Sequence, residues 1–449
     1  MKAGGKGLWG WMSFDWANQP FHTVITTFVF GPYFASRVAE NVVVGQEIWG
    51  YAIAAGSVLM ALSAPVLGSV ADAQGPRKPW ILAFSLIYLV GVTGLWLATP
   101  GMDDPLAVLV LLAVALIGAE IATVFVNSLL PEVGPHEELG RISGSGWAFG
   151  YWGGLVALVI VLGLMTPAPG SDRTMLGIAP VFGLDAAQGE GARATGPFSA
   201  LWYVVFMVPF FLWSPDVKRR AGATARVVRE GLQNLKQTLA GLPSRPSLLA
   251  YLLASMFYRD AILGIGTFGG IYASGVLGWG LFEIGVFGLV ILVFGAVGAW
   301  AGGLQDVRRG PKPVILFNIV ALTVATAAIM TIAPHEVLFI AVGTAEAPSS
   351  LPMIAFYVCG AVIGATAGSL QAASRTMLVH QADRERMAEA FGLYALTGKA
   401  TSFIAPFLVA LATGLSGSQR VGVVPILALL AIGLVLMAWV RPEGDRREA

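Results

Sequence analysis

Apolar runs of membrane-spanning length recur along this 449-residue chain from end to end. A helix needs about 20 apolar residues to cross a hydrocarbon layer roughly 30 Å thick, and inside that layer every backbone N–H and C=O must be satisfied within the protein. The runs predict spans near 14–36, 48–70, 79–99, 105–126, 144–166 and 197–214, then near 248–270, 279–301, 313–333, 351–371, 388–412 and 422–440. The expected fold is therefore all-α: a polytopic membrane protein with twelve transmembrane helices in two pseudo-symmetric six-helix bundles. Charged residues make up only 12% of the chain, about half the share usual in soluble proteins. Residues 335–350 are ambiguous, because HEVLFIAVG either extends the ninth span or lies at the surface.

The distribution of charge sets an orientation. With both termini in the cytoplasm, 21 of the 27 Lys and Arg residues fall on the inner side. Four fall outside (Arg37, Arg173, Arg193 and Arg420), and Arg259 and Lys399 lie within spans. The positive-inside rule favours this arrangement. It implies a multi-pass protein of the cytoplasmic membrane, with 1–214 and 248–449 as the two bundles and 215–247 as a basic cytoplasmic linker. Val227, Val228, Leu232, Leu235 and Leu239 in that linker fit one face of a surface helix. The outer segment 167–196, rich in Gly, Ala and Pro, reads as a flexible loop.

One inner loop occurs twice. GSVADAQGPRKPW at 68–80 follows the second span, and GGLQDVRRGPKPV at 302–314 follows the eighth. In the first copy the device comprises Gly68, Asp72, Gly75, Arg77 and Lys78; in the second, Gly302, Asp306, Gly310 and Lys312. Glycines allow the turn and close helix approach. Each aspartate can pair with a nearby cation or accept from a neighbouring helix N-terminus. Duplicated loops of this kind suit a transporter whose halves move around a central site.

Polar groups inside spans are costly and mark functional candidates. They are Asp15, Asn18, Thr23, Thr26, Glu120, Asn127, Tyr258, Arg259, Asp260 and Lys399. Asp15 is also open to a helix-capping or inner-gate role, because Trp11 and Trp16 beside it suit an interfacial belt. Gly146, Gly150 and Gly154 recur at four-residue spacing and predict a close-packing face. Pro20, Pro32, Pro65 and Pro406 are candidate helix bends. A single cysteine, Cys359, excludes an internal disulfide and a multi-cysteine metal site. His22, His136, His335 and His380 are scattered and form no HExxH or close pair. With no nucleotide loop, metal cluster or nucleophile arrangement, neither an enzyme nor a cofactor is expected. A net charge of +1 gives no reason to expect nucleic acid. No cleavable signal peptide is apparent.

Taken together, these stretches resemble the major facilitator superfamily, whose loop signature is matched at 68–78 and, in degenerate form, at 302–312. More narrowly the chain is similar to the vacuole-effluxer-like branch, with autophagy-related fungal and many bacterial members. FDWANQPFHTVITTFVFGPYF at 14–34, NSLLPE at 127–132, GWAFGYWGG at 146–154, QAASRTM at 371–377 and EAFGLYALTGKATSFIAP at 389–406 carry the resemblance. It implies twelve helices with alternating access and, for fungal relatives, amino-acid export from the vacuole. Asp15, Asn18, Gly398 and Lys399 lie in the matching motifs. The reading is a secondary transporter of a small polar solute, with an amino acid as one candidate. Arg259 or Lys399 would meet a carboxylate, and Asp260 or Asp15 an ammonium group. Proton coupling through Asp15, Glu120 or Asp260 and facilitated diffusion are both open, and the chain is expected to act as a monomer in the bilayer. Efflux of amphipathic or foreign compounds and a non-transporting sensor or scaffold are the alternatives.

Overall fold

The computed structural model describes residues 5–168, 171–218, 224–279, 281–344, 347 and 349–445. Lys2, Arg219, Arg220, Arg446 and Arg447, counted above among the inner cations, lie outside the described residues, as do the side chains of Val227 and Val228. Among the described residues, eleven helices are long and apolar enough to cross a membrane, and they correspond to the second through twelfth expected spans.

The first expected span takes a different form. It begins as α1 (Gly5–Pro20), continues as a wide π-helical segment over Phe21–Phe28, and passes through a short helix, Phe30–Tyr33, into a second wide segment over Phe34–Val38. Proline lacks an N–H and clashes with the preceding turn, so Pro20 and Pro32 disturb the regular ladder. The wide turns restore bonding with a longer step: Val29 N–H donates to the Val24 carbonyl at 3.1 Å, and Ala39 N–H to that of Phe34 at 3.1 Å. Pro65, by contrast, sits inside an unbroken helix.

The chain divides into two compact units. Unit one comprises Met1–Gly134 and Phe149–Leu232. Within it, α1 packs on α6 (Thr195–Trp213), while α2 (Val42–Gln74) and α3 (Lys78–Gly94) both pack on α4 (Leu106–Ser128). Unit two comprises Pro135–Ala148 and Gln233–Ala449. The helix α5 (Leu139–Ile160) therefore starts in unit two and continues in unit one. The linker contains α7 (Thr224–Gly241), on which Leu235 is buried while Leu232 and Leu239 remain about half exposed.

In unit two, α8 (Pro246–Leu277) packs on the terminal helix, and α9 (Leu281–Arg309) and α10 (Pro311–Met330) both pack on α11 (Leu351–Gln381). The eleventh expected span is broken at 401–403 into α12 (Met387–Ala400) and α13 (Ile404–Ser416), ahead of the terminal α14 (Val424–Leu436). The α9–α11 seam is built from backbone. A Cβ on Gly298 would lie 2.1 Å from the Ala365 carbonyl oxygen, one on Gly364 2.4 Å from that of Ile291, and one on Gly368 2.3 Å from that of Gly295. Lipid tails are as apolar as leucine, so helices in a bilayer associate through such close packing rather than through burial from water.

Two loop readings are now specific. Glu336–Val337 and Ile340–Ala341 form a two-stranded antiparallel hairpin with Leu338, Phe339 and Ile340 exposed, so HEVLFIAVG does not extend the ninth span but lies at the protein surface. Its central residues, Leu338 and Phe339, have φ of 54° and 61°. That geometry matches the twist of a hairpin but carries strain at non-glycine residues. Of the segment 167–196, expected to be flexible, residues 171–196 run through turns and a short helix at Glu190–Arg193. Arg193 anchors that helix, donating from Nε to the Trp96 carbonyl at 2.9 Å with its guanidinium 4.6 Å from the Trp96 ring centre.

The seam gives a direct expectation. Gly364→Leu forces two backbones apart and is expected to cost about 1–3 kcal/mol or more, read as a lower unfolding temperature in detergent. Phe317→Leu, at a position 70% exposed, is expected to leave that temperature nearly unchanged. Equal effects from the two would contradict this account of the seam.

Candidate functional site

In unit one the sequence candidates converge on the contact of α1 with α4. Asn18 is 6% exposed and donates from Nδ2 to Thr123 Oγ at 3.3 Å. Its Oδ1 is buried with no hydrogen-bond partner among the described residues. Glu120, Thr123 and Asn127 are all partly exposed and spaced at i, i+3 and i+7, which places them on one face of α4. Trp11 fixes this crossing by donating from Nε1 to the Val126 carbonyl at 2.9 Å. Trp11 is fully buried, which corrects its expected place in an interfacial belt. Trp16 joins an interior aromatic group, stacked at 5.8 Å on Trp202 and 4.5 Å from Phe149.

The glycines of α5 let this side of α1 approach. A Cβ on Gly150 would sit 3.2 Å from the Asp15 carbonyl oxygen, and one on Gly154 2.5 Å from Thr23 Oγ. Thr23 is buried and accepts from Gln19 Nε2 at 3.5 Å, while Thr26 turns back to the His22 carbonyl at 2.7 Å.

In unit two, Arg259 reaches across to α12. Its Nη1 donates to the Tyr394 carbonyl at 2.7 Å, and its guanidinium carbon lies 4.1 Å from the Tyr394 ring centre. A Cβ on Gly398 would fall 2.3 Å from that guanidinium carbon, so only glycine leaves room for it. The ring supplies attraction to the cation. With five N–H donors in a planar fork, a guanidinium keeps capacity for a carboxylate after one bond to a carbonyl.

The neighbouring candidates have more structural roles. Tyr258 is fully buried and shares a 2.7 Å hydrogen bond with Ser374 Oγ. Asp260 accepts from the Ala405 N–H at 3.1 Å through Oδ2. It thereby satisfies an orphan donor at the start of α13, where the broken span resumes. Its Oδ1 is buried with no partner among the described residues. Lys399 lies partly exposed near the end of α12.

The repeated loops share a positive φ at the turn glycine and a lysine bonded to a carbonyl. Gly75 and Gly310 have φ of 102° and 78°, a region that a side chain would strain. Lys78 Nζ donates to the Phe211 carbonyl at 2.9 Å, and Lys312 Nζ to the Val440 carbonyl at 2.6 Å. Each lysine thus satisfies a carbonyl near a helix end, where such groups lack an intrahelical partner. The aspartates differ. Asp72 forms a buried ion pair with Arg77, and Asp216 accepts from the backbone N–H groups of Arg77 and Lys78 at 2.7 and 3.2 Å. Asp306 instead presses on the first turn of α5, where a Cβ on Gly140 would be 2.5 Å from the Asp306 side chain. A Cβ on Gly302 would overlap Ser369 Oγ at 1.9 Å, so this glycine does serve close approach. Gly68 is buried.

Sequence reasoning missed Thr123, Asp216 and Ser374, and gave Tyr394 no specific partner. Thr123 was readable from the spacing of Glu120 and Asn127; the others depend on tertiary contact. It also missed a histidine pair: His136 and His380 stack with ring centres 4.2 Å apart.

Comparisons place this arrangement among known proteins. The family model described as "Vacuole effluxer Atg22 like" matches residues 48–449. The chain is 25% identical over 440 residues to the uncharacterized MFS-type transporter YxiO of Bacillus subtilis, covering 96% of this chain and 94% of that protein. It is 24% identical over 318 residues to autophagy-related protein 22 of Cryptococcus neoformans var. neoformans, covering 69% of this chain and 54% of the fungal protein. A crystal structure of the major facilitator superfamily transporter FucP in the outward conformation superposes with a TM-score of 0.68 at 14% identity, covering 96% and 97% of the two chains. The fold is that of the major facilitator superfamily, and the matching family is one of effluxers, not of catalytic enzymes.

The buried pair in the first loop is testable. Asp72 and Arg77 are 6% and 3% exposed, and removing one member of such a pair costs about 3–5 kcal/mol. Arg77→Met is expected to lower the unfolding temperature strongly, and the Arg77→Met/Asp72→Asn double variant to recover part of the loss. A double variant no more stable than the single one would contradict the pairing energetics.

Proposed function

This chain belongs to the Atg22-like vacuole effluxer family, and we propose that it is a secondary transporter moving a small zwitterionic solute of the amino-acid class across the cytoplasmic membrane by alternating access. The observation that carries the substrate class is Arg259, a guanidinium inside a membrane-spanning helix, held over the Tyr394 ring by a hydrogen bond to the Tyr394 carbonyl and by the space that Gly398 leaves. A planar cation so held is suited to bidentate recognition of a carboxylate. Lys399, five residues beyond Tyr394, adds a second cation to this unit.

Unit one carries polar groups of its own. The buried Oδ1 of Asn18 can accept from a bound donor such as an ammonium group. Asp15, Glu120, Thr123 and Asn127 extend the polar surface of the α1–α4 contact. Asp260 serves here to hold the broken span, with coupling to protons assigned to Glu120 or Asp15. The excess of cations in the inner segments supports cytoplasmic termini and a cytoplasmic-membrane location. Two covalently joined bundles in one chain support a monomeric transporter.

Reconstitution tests the proposal. Proteoliposomes containing the wild-type chain are expected to show saturable uptake and counterflow of at least one amino acid. Arg259→Lys keeps the charge but loses the planar fork. It is expected to weaken apparent affinity roughly 10- to 100-fold, the equivalent of one charge-assisted hydrogen bond. Gly398→Ala, which leaves Arg259 intact but displaces it, is expected to reproduce that loss. Wild-type affinity in both variants would overturn the role of Arg259. Flux of amphipathic compounds without amino-acid flux would favour the efflux reading, and no solute flux at all would favour a sensor or scaffold.

A further inference from the structure

We propose that His136, His380 and Glu443 form a binding site for a divalent transition-metal ion of the zinc class. The three residues come from distant parts of the sequence and meet within unit two. His136 lies in the turn leading into α5, His380 at the end of α11, and Glu443 in the turn after the terminal helix. One potential ligand atom from each lies within 4.8 Å of those of the other two. Two imidazoles and one carboxylate are a donor set suited to zinc and to neighbouring first-row metals, with water completing the coordination. Exposure of His136 and Glu443 leaves that open position facing solvent.

The segments carrying the ligands are held in place independently of any ion. Asp445, two residues beyond Glu443, accepts from the backbone N–H groups of Ser247 and Leu248 at the start of α8, at 3.0 and 3.1 Å. Gln381, next to His380, donates from Nε2 to the Arg441 carbonyl at 2.6 Å and accepts from Ser247 Oγ at 2.6 Å. Between them Gly444, at φ 75°, brings the turn against His380: a Cβ there would lie 2.9 Å from the His380 carbonyl oxygen. The carboxylate and one imidazole are therefore presented on a braced surface.

The stacked rings need one adjustment. Their planes are 26° apart with centres 4.2 Å apart, so their lone pairs lie in nearly parallel, separated planes. A common ion about 2.0–2.1 Å from a nitrogen of each ring therefore requires the exposed His136 ring to turn about its Cβ–Cγ bond, a soft torsion. A bound ion would fasten the first turn of α5 to the ends of α11 and the terminal helix.

The test uses the full-length chain, freed of any purification tag, in detergent. Titration with Co²⁺ is expected to give visible absorption bands saturating at one equivalent, and Zn²⁺ is expected to displace them. His136→Ala and Glu443→Gln, both at exposed positions, are each expected to weaken Zn²⁺ binding at least about tenfold. His335→Ala is expected to leave it unchanged. Zn²⁺ should also raise the unfolding temperature of the wild-type chain by mass action, and this shift should vanish in the His136→Ala/Glu443→Gln double variant. No binding below millimolar Zn²⁺, or undiminished binding in the double variant, would overturn the site. Transport activity enters neither readout, so the proposal stands or falls separately from the substrate assignment.

Discussion

Close approach of helix backbones is the interaction on which the rest of this structure depends. In a bilayer the lipid competes equally well for apolar side chains, so a bundle is held by packing and by polar contacts between helices. The α9–α11 seam meets this requirement with Gly298, Gly364 and Gly368, each facing a backbone carbonyl of the other helix. On α5, Gly150 likewise faces the Asp15 carbonyl, and Gly154 makes room for the side chains of Gln19 and Thr23. On its other side α1 is fixed to α4 by Trp11, whose indole donates to the Val126 carbonyl, and there Asn18 meets Thr123.

The same economy of space creates the functional features. Gly398 is a packing glycine whose missing side chain is replaced by a guanidinium. Arg259 then rests on Tyr394 with one N–H bonded to its carbonyl. Asp260, one residue on, supports the break between α12 and α13 by accepting from Ala405 N–H. Adjacent residues on α8 thus divide the work, one stabilising an interrupted span and the other presenting charge beside it. In the duplicated loops, Lys78 and Lys312 each satisfy a carbonyl near the end of another helix, whereas Asp72 and Asp306 have diverged, one to a paired cation and the other to a helix face.

The legible part of this architecture follows local rules. Hydropathy placed the long helices because each must be nearly all apolar, and the loops announced their turns through Gly75 and Gly310, whose backbone angles need glycine. The first span was harder to read: Pro20 and Pro32 signalled a bend, but the wide-turn repair depends on the whole segment. Long-range partners were not legible. Nothing near Asp260 points to Ala405, and nothing near His136 points to His380. Trp11 was misplaced for the same reason, since an indole beside an apolar run suits either a headgroup belt or an interior carbonyl, and only tertiary contact chose Val126.

The central claim is that these intramembrane polar groups face a water-accessible pathway instead of lipid. Only one native cysteine, Cys359, needs removal before substituted-cysteine labelling. In a Cys359→Ser background, Asn18→Cys, Thr123→Cys and Arg259→Cys are expected to react with a membrane-impermeant thiol reagent. A transported amino acid is expected to slow labelling at Asn18→Cys and Thr123→Cys. Reaction with only lipid-soluble reagents at all three positions would contradict the account.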